Sequence, residues 1–400
     1  MLKALLPLLR KRSKNHHKAV VMHHLPVLFG YHASNLGNSH VPLSLCRYWN
    51  ESGRTSTLTV PSAEDTVSYP WLKPVMTGLK KSLVYKLGNS TQPRFLTEDY
   101  FFQTESSSSP VYLWAAISLE IFERFNDRGA KIIIERINCH RATSRKILHE
   151  AGDHWEMKLS DTITDSQIVE ENRKLALADS IFCPSPMVRT SMLENGVPEE
   201  KLLPSSYGWA PERFPSIADT AHGNHGPVFL FAGTICMRKG ILLLLEAWKR
   251  ACISGELILC GGIDPQVQPE LDRHLEANNI HHMAYTRDIG QVYRMADVFV
   301  FPSLEEGGPM VTYEAMAHGI PPLVTAMGGG AIVQDGVNGI VLPDLDVDAW
   351  AAAITEIAEN RQKRIELGKK ARERALQFTW ENVARQRALQ LEKRYPELWK

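Results

Sequence analysis

Short apolar runs alternate with longer amphipathic ones twice along this 400-residue chain. That pattern predicts an α/β fold of two parallel-sheet domains facing a central cleft. The length alone exceeds what one hydrophobic core holds, so two domains are expected. The alternation restarts after "ADTAHGNHGP" (218–227), a polar, glycine-containing stretch that reads as a linker. The expected division is residues 1–217, residues 218–380 and a charged amphipathic terminal helix over 381–400.

The elements follow in order. "AVVMHH" (19–24) is expected as a first strand, and "FGYHASNLGNSHVPLSL" (29–45) as a loop running into a helix. "VYLW" (111–114) reads as a buried strand and "AAISLEIFERFNDRG" as a helix stopped by Gly129. "KIIIER" (131–136), "IFCPS" (181–185) and "KLLPSSYG" read as strands separated by helical "ENRKLALADS" and "PMVRTSMLENG". In the second half "VFLFAG", "ELILCGG", "VFVFPS" and "PPLVTAMGGG" read as strands, with "ILLLLEAWKRA" (241–251) and "VDAWAAAITEIAENR" (347–361) as helices.

The composition, 44% hydrophobic and 22% charged with zero net charge, is that of a globular protein and gives no electrostatic case for nucleic acid. No stretch reaches the roughly 20 apolar residues of a membrane span. The first acidic residue is Glu51, so the head is basic. Residues 1–14 suit peripheral contact with an anionic membrane surface, or a surface-packed first helix. The six cysteines form no CxxC pair and fall largely in apolar runs. They read as free thiols in a reducing, cytoplasmic setting rather than as a zinc site.

The stretch richest in chemistry is "PSLEEGGPMVTYEAMAHGIP" (302–321). It follows a strand, with Pro309 placed to open a helix and Gly319 to stop it. First-turn amides at Met310 and Val311 lack partners within such a helix and form an anion site. Gly307 and Gly308 permit close backbone approach. Glu306 sits in the loop and Glu314 about one turn inside the helix. A carboxylate can accept from two neighbouring hydroxyls at once, so a sugar-nucleotide would account for both acids and the amides together. The plainer reading is that Glu306 complements the helix dipole and Glu314 is solvated. In "FAGTICMRKG" (231–240), Arg238 and Lys239 stand at a strand's carboxyl end, where two cations can neutralise a diphosphate.

Taken together, these motifs resemble the retaining glycosyltransferases of family 4, which have the GT-B fold of two Rossmann-like domains. "AGTICMRKG" matches their glycine loop and Lys-Gly pair. "EEGGPMVTYEAMAHGIPPLVT" matches their E-x7-E segment, and "GGGAIVQDGVNG" (328–339) the turn beyond it. "ADSIFCPSPMVRTSMLENGVPEEKLLPSSYGWAPERF" and "FTWENVA" resemble the end of the first domain and the start of a final helix that crosses back to it. The match spans about residues 110 to 390. Two departures stand out: Thr234 where many relatives carry arginine, and Gly308-Pro309 where they carry an aromatic and a glycine.

The resemblance implies an enzyme moving a sugar from a UDP- or GDP-linked donor to a glycan, lipid-linked or small-molecule acceptor, with retention of configuration. It implies no cofactor and no essential metal; "DLD" (344–346) reads as helix capping. Glu306 would hold donor-sugar hydroxyls and Glu314 the ribose. Met310 and Val311 amides would hold phosphate oxygens, with Gly233, Thr234, Gly307 and Gly308 in the surrounding loops. Lys239, helped by Arg238, would stabilise the leaving diphosphate. Thr286 and Arg287 would lie near the base. On the acceptor side stand Gly37, Asn38, Arg136 and His140, the last expected near the reacting sugar. A GT-B epimerase or phosphorylase, or a non-catalytic nucleotide-sugar binder, are the alternatives.

Overall fold

The computed structural model describes residues 24–400 except 36, 79–80, 83, 85–91, 106–109, 115, 159–161, 215–225 and 276–278. The basic head and most of the expected linker therefore lie outside the described residues, as does all but the last residue of the expected strand "AVVMHH". The first strand observed is β1, Leu25–Leu28.

The N-terminal domain is built on seven strands. These are β1, β2 (Ser56–Val60), β3 (Leu72–Pro74), β4 (Val111–Trp114), β5 (Ile132–Glu135), β6 (Ser180–Cys183) and β7 (Leu202–Pro204). Their order is β3-β2-β1-β4-β5-β6-β7, and every pairing is parallel. The C-terminal domain has β8 (Val228–Ala232), β9 (Glu256–Cys260), β10 (Ile280–Met283), β11 (Val298–Phe301), β12 (Pro322–Val324) and β13 (Ile340–Val341). Their order is β10-β9-β8-β11-β12-β13, again all parallel. β1, β4, β5, β6, β11 and β12 are buried along their whole length, as expected of sheets covered by helices on both faces. The chain thus has the GT-B architecture that its sequence resembles.

Local chemistry sets the helix ends. Ser185 accepts from the Val188 amide at the start of Pro186–Glu194, with proline at the first position. Thr164 and Gln167 form a capping box ahead of Asp165–Leu177. Asp346 of the "DLD" segment accepts from the Ala349 amide and caps Val347–Glu359. The glycine-rich end of "PPLVTAMGGG" forms a short helix, Ala326–Gly329, because Thr325 caps it through the Gly328 amide.

The terminal helix, Trp380–Arg394, lies on the N-terminal domain. Trp49 donates its indole N–H to the Ala384 carbonyl at 2.8 Å, and Arg54 pairs with Glu392 at 2.6 Å. Arg387 reaches the carboxyl end of β5 and makes a two-pronged ion pair with Glu135 at 2.7 and 3.2 Å. Both side chains are buried, and the guanidinium also donates to the Tyr112 hydroxyl and the Ser206 carbonyl. Of the cysteines, five are buried and Cys252 is exposed; all six are unpaired.

Candidate active site between the domains

The carboxyl ends of β5, β8 and β11 face one another across a cavity of about 780 Å³. Parallel α/β sheets bind ligands at this end of their strands. The N-terminal wall includes Asn38, Arg94, Arg136, Asn138, Arg141, Lys174 and Tyr207, with Glu170 and Glu171 among them. The C-terminal wall is Arg238, Lys239, Glu305, Glu306 and Gly308.

Lys239 follows β8 on a short 3-10 turn, Met237–Lys239. Gly240 ends that turn at φ 69°, and a Cβ there would lie 2.0 Å from the Pro302 carbonyl oxygen. The loops after β8 and β11 are thereby drawn together, and Lys239 meets the Glu306 carboxylate in a direct ion pair. Burial, then the neighbouring Arg238 guanidinium, pull the Lys239 ammonium down to about 7; Glu305 and Cys236 act in the opposite direction. Contact with the Glu306 carboxylate also favours the charged form. Glu306 further accepts from the Gly307 amide at 3.2 Å.

The adjacent Glu305 went unremarked in the sequence, yet it is the better-buried acid of the two, with 1% of its surface exposed. It accepts from Ser144 Oγ at 3.0 Å, Asn138 Nδ2 at 3.2 Å and Cys139 Sγ at 3.4 Å, all in the N-terminal domain. Arg238 Nη1 adds bonds to the Glu305 carboxylate and carbonyl at 3.3 and 3.0 Å. Arg238 is therefore shared between the cleft and a cross-domain polar knot. The only hint in the sequence is the doublet itself: neighbouring residues in extended chain point opposite ways.

Gly307 and Gly308 serve the domain interface first. A Cβ at Gly307 would lie 1.6 Å from the Ile137 carbonyl oxygen, and one at Gly308 would lie 2.5 Å from the Tyr207 ring. Close approach is required as expected, but the neighbour is the N-terminal domain.

The helix of the E-x7-E segment is Met310–Ala317, one residue shorter at each end than 309–318, with Pro309 at its N-cap and Gly319 at φ 75° beyond its end. Thr312 N donates to Pro309 O, while the half-buried Met310 and Val311 supply the first-turn amides. Glu314 is not on the cleft wall beside Lys239. It is buried, and accepts from Arg213 Nη1 at 2.9 Å and the Tyr293 hydroxyl at 3.0 Å. Burial raises its pKa; Arg213 and Tyr293 work against that. The solvated reading of Glu314 is thus excluded, and its carboxylate is already partnered.

His140 also differs from expectation. It is 1% exposed and does not line the cleft. Its Nδ1 accepts from the Ala142 amide, capping the helix Arg141–His154, and its Nε2 lies 2.8 Å from Asn172 Oδ1. Arg136 does line the cleft, held by Glu171 at 2.6 Å and the Cys139 carbonyl at 3.2 Å. Asn38 lines it and is exposed; Gly37 precedes it at φ 57°. Gly233, Thr234, Thr286 and Arg287 lie off this cavity, with Thr234 and Arg287 exposed and Thr286 accepting from the Asp288 amide.

Residues 226–360 match the family of group 1 glycosyl transferases. The matched segment holds the whole six-stranded C-terminal sheet, from β8 to β13. Among curated relatives, the D-inositol 3-phosphate glycosyltransferase of Corynebacterium kroppenstedtii is 31% identical over 176 residues, 40% of this chain and 39% of that protein. Its counterpart in Corynebacterium urealyticum is 28% identical over 259 residues, 59% and 60% of the two chains. The aligned region spans between about two fifths and three fifths of these relatives' length. Solved structures agree over nearly the whole molecule. Sucrose-phosphate synthase from Thermosynechococcus elongatus superposes with a TM-score of 0.69, covering 93% of this chain and 99% of that one at 19% identity. The Anabaena protein HepE, solved with UDP and glucose, gives 0.65, covering 92% and 99% at 15% identity. At such identities these structures speak to the GT-B fold. No described helix of the chain is long and apolar enough to cross a membrane.

Proposed function

We propose that this chain transfers a sugar, with retention of configuration, from a nucleotide-sugar to a small acceptor bearing a phosphate. The observation that carries the reading is the convergence of Lys239, Arg238 and Glu306 on one cleft walled by both domains. An ammonium and a guanidinium suit a diphosphate, and the amide end of Met310–Ala317 follows Gly308 of the same wall, although Met310 and Val311 do not line the cavity themselves. Stabilising the departing charge would then be the main catalytic contribution. Lys239, Arg238 and the Met310 and Val311 amides provide it without calling on a metal. Glu306 exchanges Lys239 for hydroxyls of the transferred sugar, and Glu314 exchanges the half-exposed Arg213 for those of the ribose. The acceptor attacks from the face the diphosphate leaves, and a phosphate oxygen takes its proton.

The acceptor class rests on the opposite wall. Arg94, Arg136, Arg141 and Lys174 outnumber Glu170 and Glu171 there. Relatives named for D-inositol 3-phosphate make a polyol phosphate the first acceptor to offer. The test is product formation from UDP- and GDP-sugars with inositol phosphate or unphosphorylated inositol, alongside Glu306→Ala and Lys239→Ala. Each variant is expected to fall by an order of magnitude or more, about 1.4 kcal/mol of lost transition-state stabilisation at the least. Wild-type turnover in both would refute the site. Equal use of both acceptors would refute the phosphate.

A further inference from the structure

We propose that Glu246, Glu270 and His274 form a site for a divalent transition-metal ion, zinc by preference, separate from the cleft. None of the three lines the cavity between the domains. Glu270 and His274 are four residues apart on the helix Gln268–Leu275 and so share a face. Glu246 meets them from the helix Ile241–Ala251. One ligand atom from each residue lies within 4.8 Å of the others. A tetrahedral zinc with bonds of about 2.1 Å holds its ligand atoms roughly 3.4 Å apart, so small rotations of two half-exposed carboxylates close the site.

The histidine is what marks this cluster out from an ordinary acidic patch. His274 is 8% exposed, and its Nδ1 lies 2.9 Å from the Glu270 backbone carbonyl, an oxygen that can only accept. A proton is thereby placed on Nδ1, and in the neutral ring it is Nε2 that carries the lone pair. That Nε2 is buried without a hydrogen-bond partner and faces Glu246 Oε1 at 3.6 Å, too long for a hydrogen bond. A buried acceptor left unsatisfied is costly. An imidazole fixed by a bond from its other nitrogen to a carbonyl is the usual preparation for metal ligation. Arg273 holds Glu270 Oε2 at 2.5 Å, while Oε1 lies 3.5 Å from His274 Nδ1 and would swing from that edge of the ring toward Nε2 to reach the ion. Mixed imidazole and carboxylate donors suit zinc, whereas magnesium and calcium prefer all-oxygen shells. The ion would tie two helices together, the first of which begins immediately after Lys239 and Gly240.

The experiment uses the full chain stripped with chelator and titrated with zinc, reading bound equivalents by calorimetry and the melting temperature in parallel. Cobalt absorbance reports the ligand set. The chain has 15 histidines, several of them in residues 1–23, so the site is read as a difference between proteins. His274→Gln and Glu246→Gln are each expected to lose about one equivalent of zinc, or to bind it roughly tenfold more weakly, and to lose the zinc-dependent rise in melting temperature. Turnover should stay at the wild-type level. Should His274→Gln fail to fold, Glu246→Gln, at a half-exposed position, carries the same comparison. Equal zinc equivalents and equal thermal response in wild type and variants overturn the site. So does a cobalt spectrum unchanged by the substitutions.

Discussion

Lys239 faces two demands at the level of single side chains. In the proposed reaction it must be charged to receive a diphosphate, yet burial and Arg238 draw its pKa down to about 7. A lysine held below its ordinary value is protonated when the pH is under the folded pKa and neutral above it. Affinity for the donor's diphosphate is therefore expected to weaken as the pH rises past about 7. The stability contribution has the opposite slope: the unfolded chain holds this proton up to about 10.5, so the cost of burying the charge is relieved between about 7 and 10.5. Lys239→Arg, always protonated, should flatten the affinity profile. Titration of nucleoside diphosphate at a series of pH values checks this, and parallel curves for the two proteins would rule it out. That Lys239 and Glu306 line one cleft was legible from the sequence, because each follows a strand and precedes a helix. Glu305 was not. Its partners Asn138, Cys139 and Ser144 come from residues more than 160 positions away, and no local pattern encodes such a meeting.

Among the elements, the loop between β11 and the helix Met310–Ala317 bears the domain contact. Gly308 lies beneath the Tyr207 ring, which is buried and has little room to retreat. Gly308→Ala is expected to cost roughly 1–3 kcal/mol and to weaken donor binding as well, since the loop that positions Glu306 must shift. Denaturant melts and donor titrations measure the two effects; a variant as stable and as tight-binding as wild type would refute the interface reading. The C-terminal elements were the easier ones to read. "ILLLLEAWKRA" forms Ile241–Ala251 to the residue, because its apolar run is bounded by Gly240 and a basic last turn. The stretch before residue 110 was harder. β3 has only three residues, and the helix Gln92–Thr104 buries just Pro93, Thr97, Glu98 and Phe101, a face with too little apolar contrast to announce itself. His140 misled for a related reason: a histidine after a strand reads equally as a reactive group or as an ordinary loop residue, and its capping bond to Ala142 shows only in the fold.

Across the whole molecule, the terminal helix is fastened by charge as well as by packing. Arg387 and Glu135 are 252 residues apart and fully enclosed. Removing one partner strands the other. Arg387→Ala is thus expected to lower stability by about 3–5 kcal/mol, while replacing both with apolar residues of similar volume should cost far less. Equilibrium unfolding of the single and double variants decides it; a single variant as stable as the double would count against a buried pair. Near the domain boundary, the segment at Trp209 and the segment at Phe378–Trp380 lie side by side. Trp209 N bonds to Phe378 O, Trp380 N bonds to Trp209 O, and the Trp209 indole reaches the Ala375 carbonyl. A bridge this short ties the two segments to each other where the chain leaves and re-enters the N-terminal domain. Any change in the angle between the lobes would have to be taken up by backbone outside that tie.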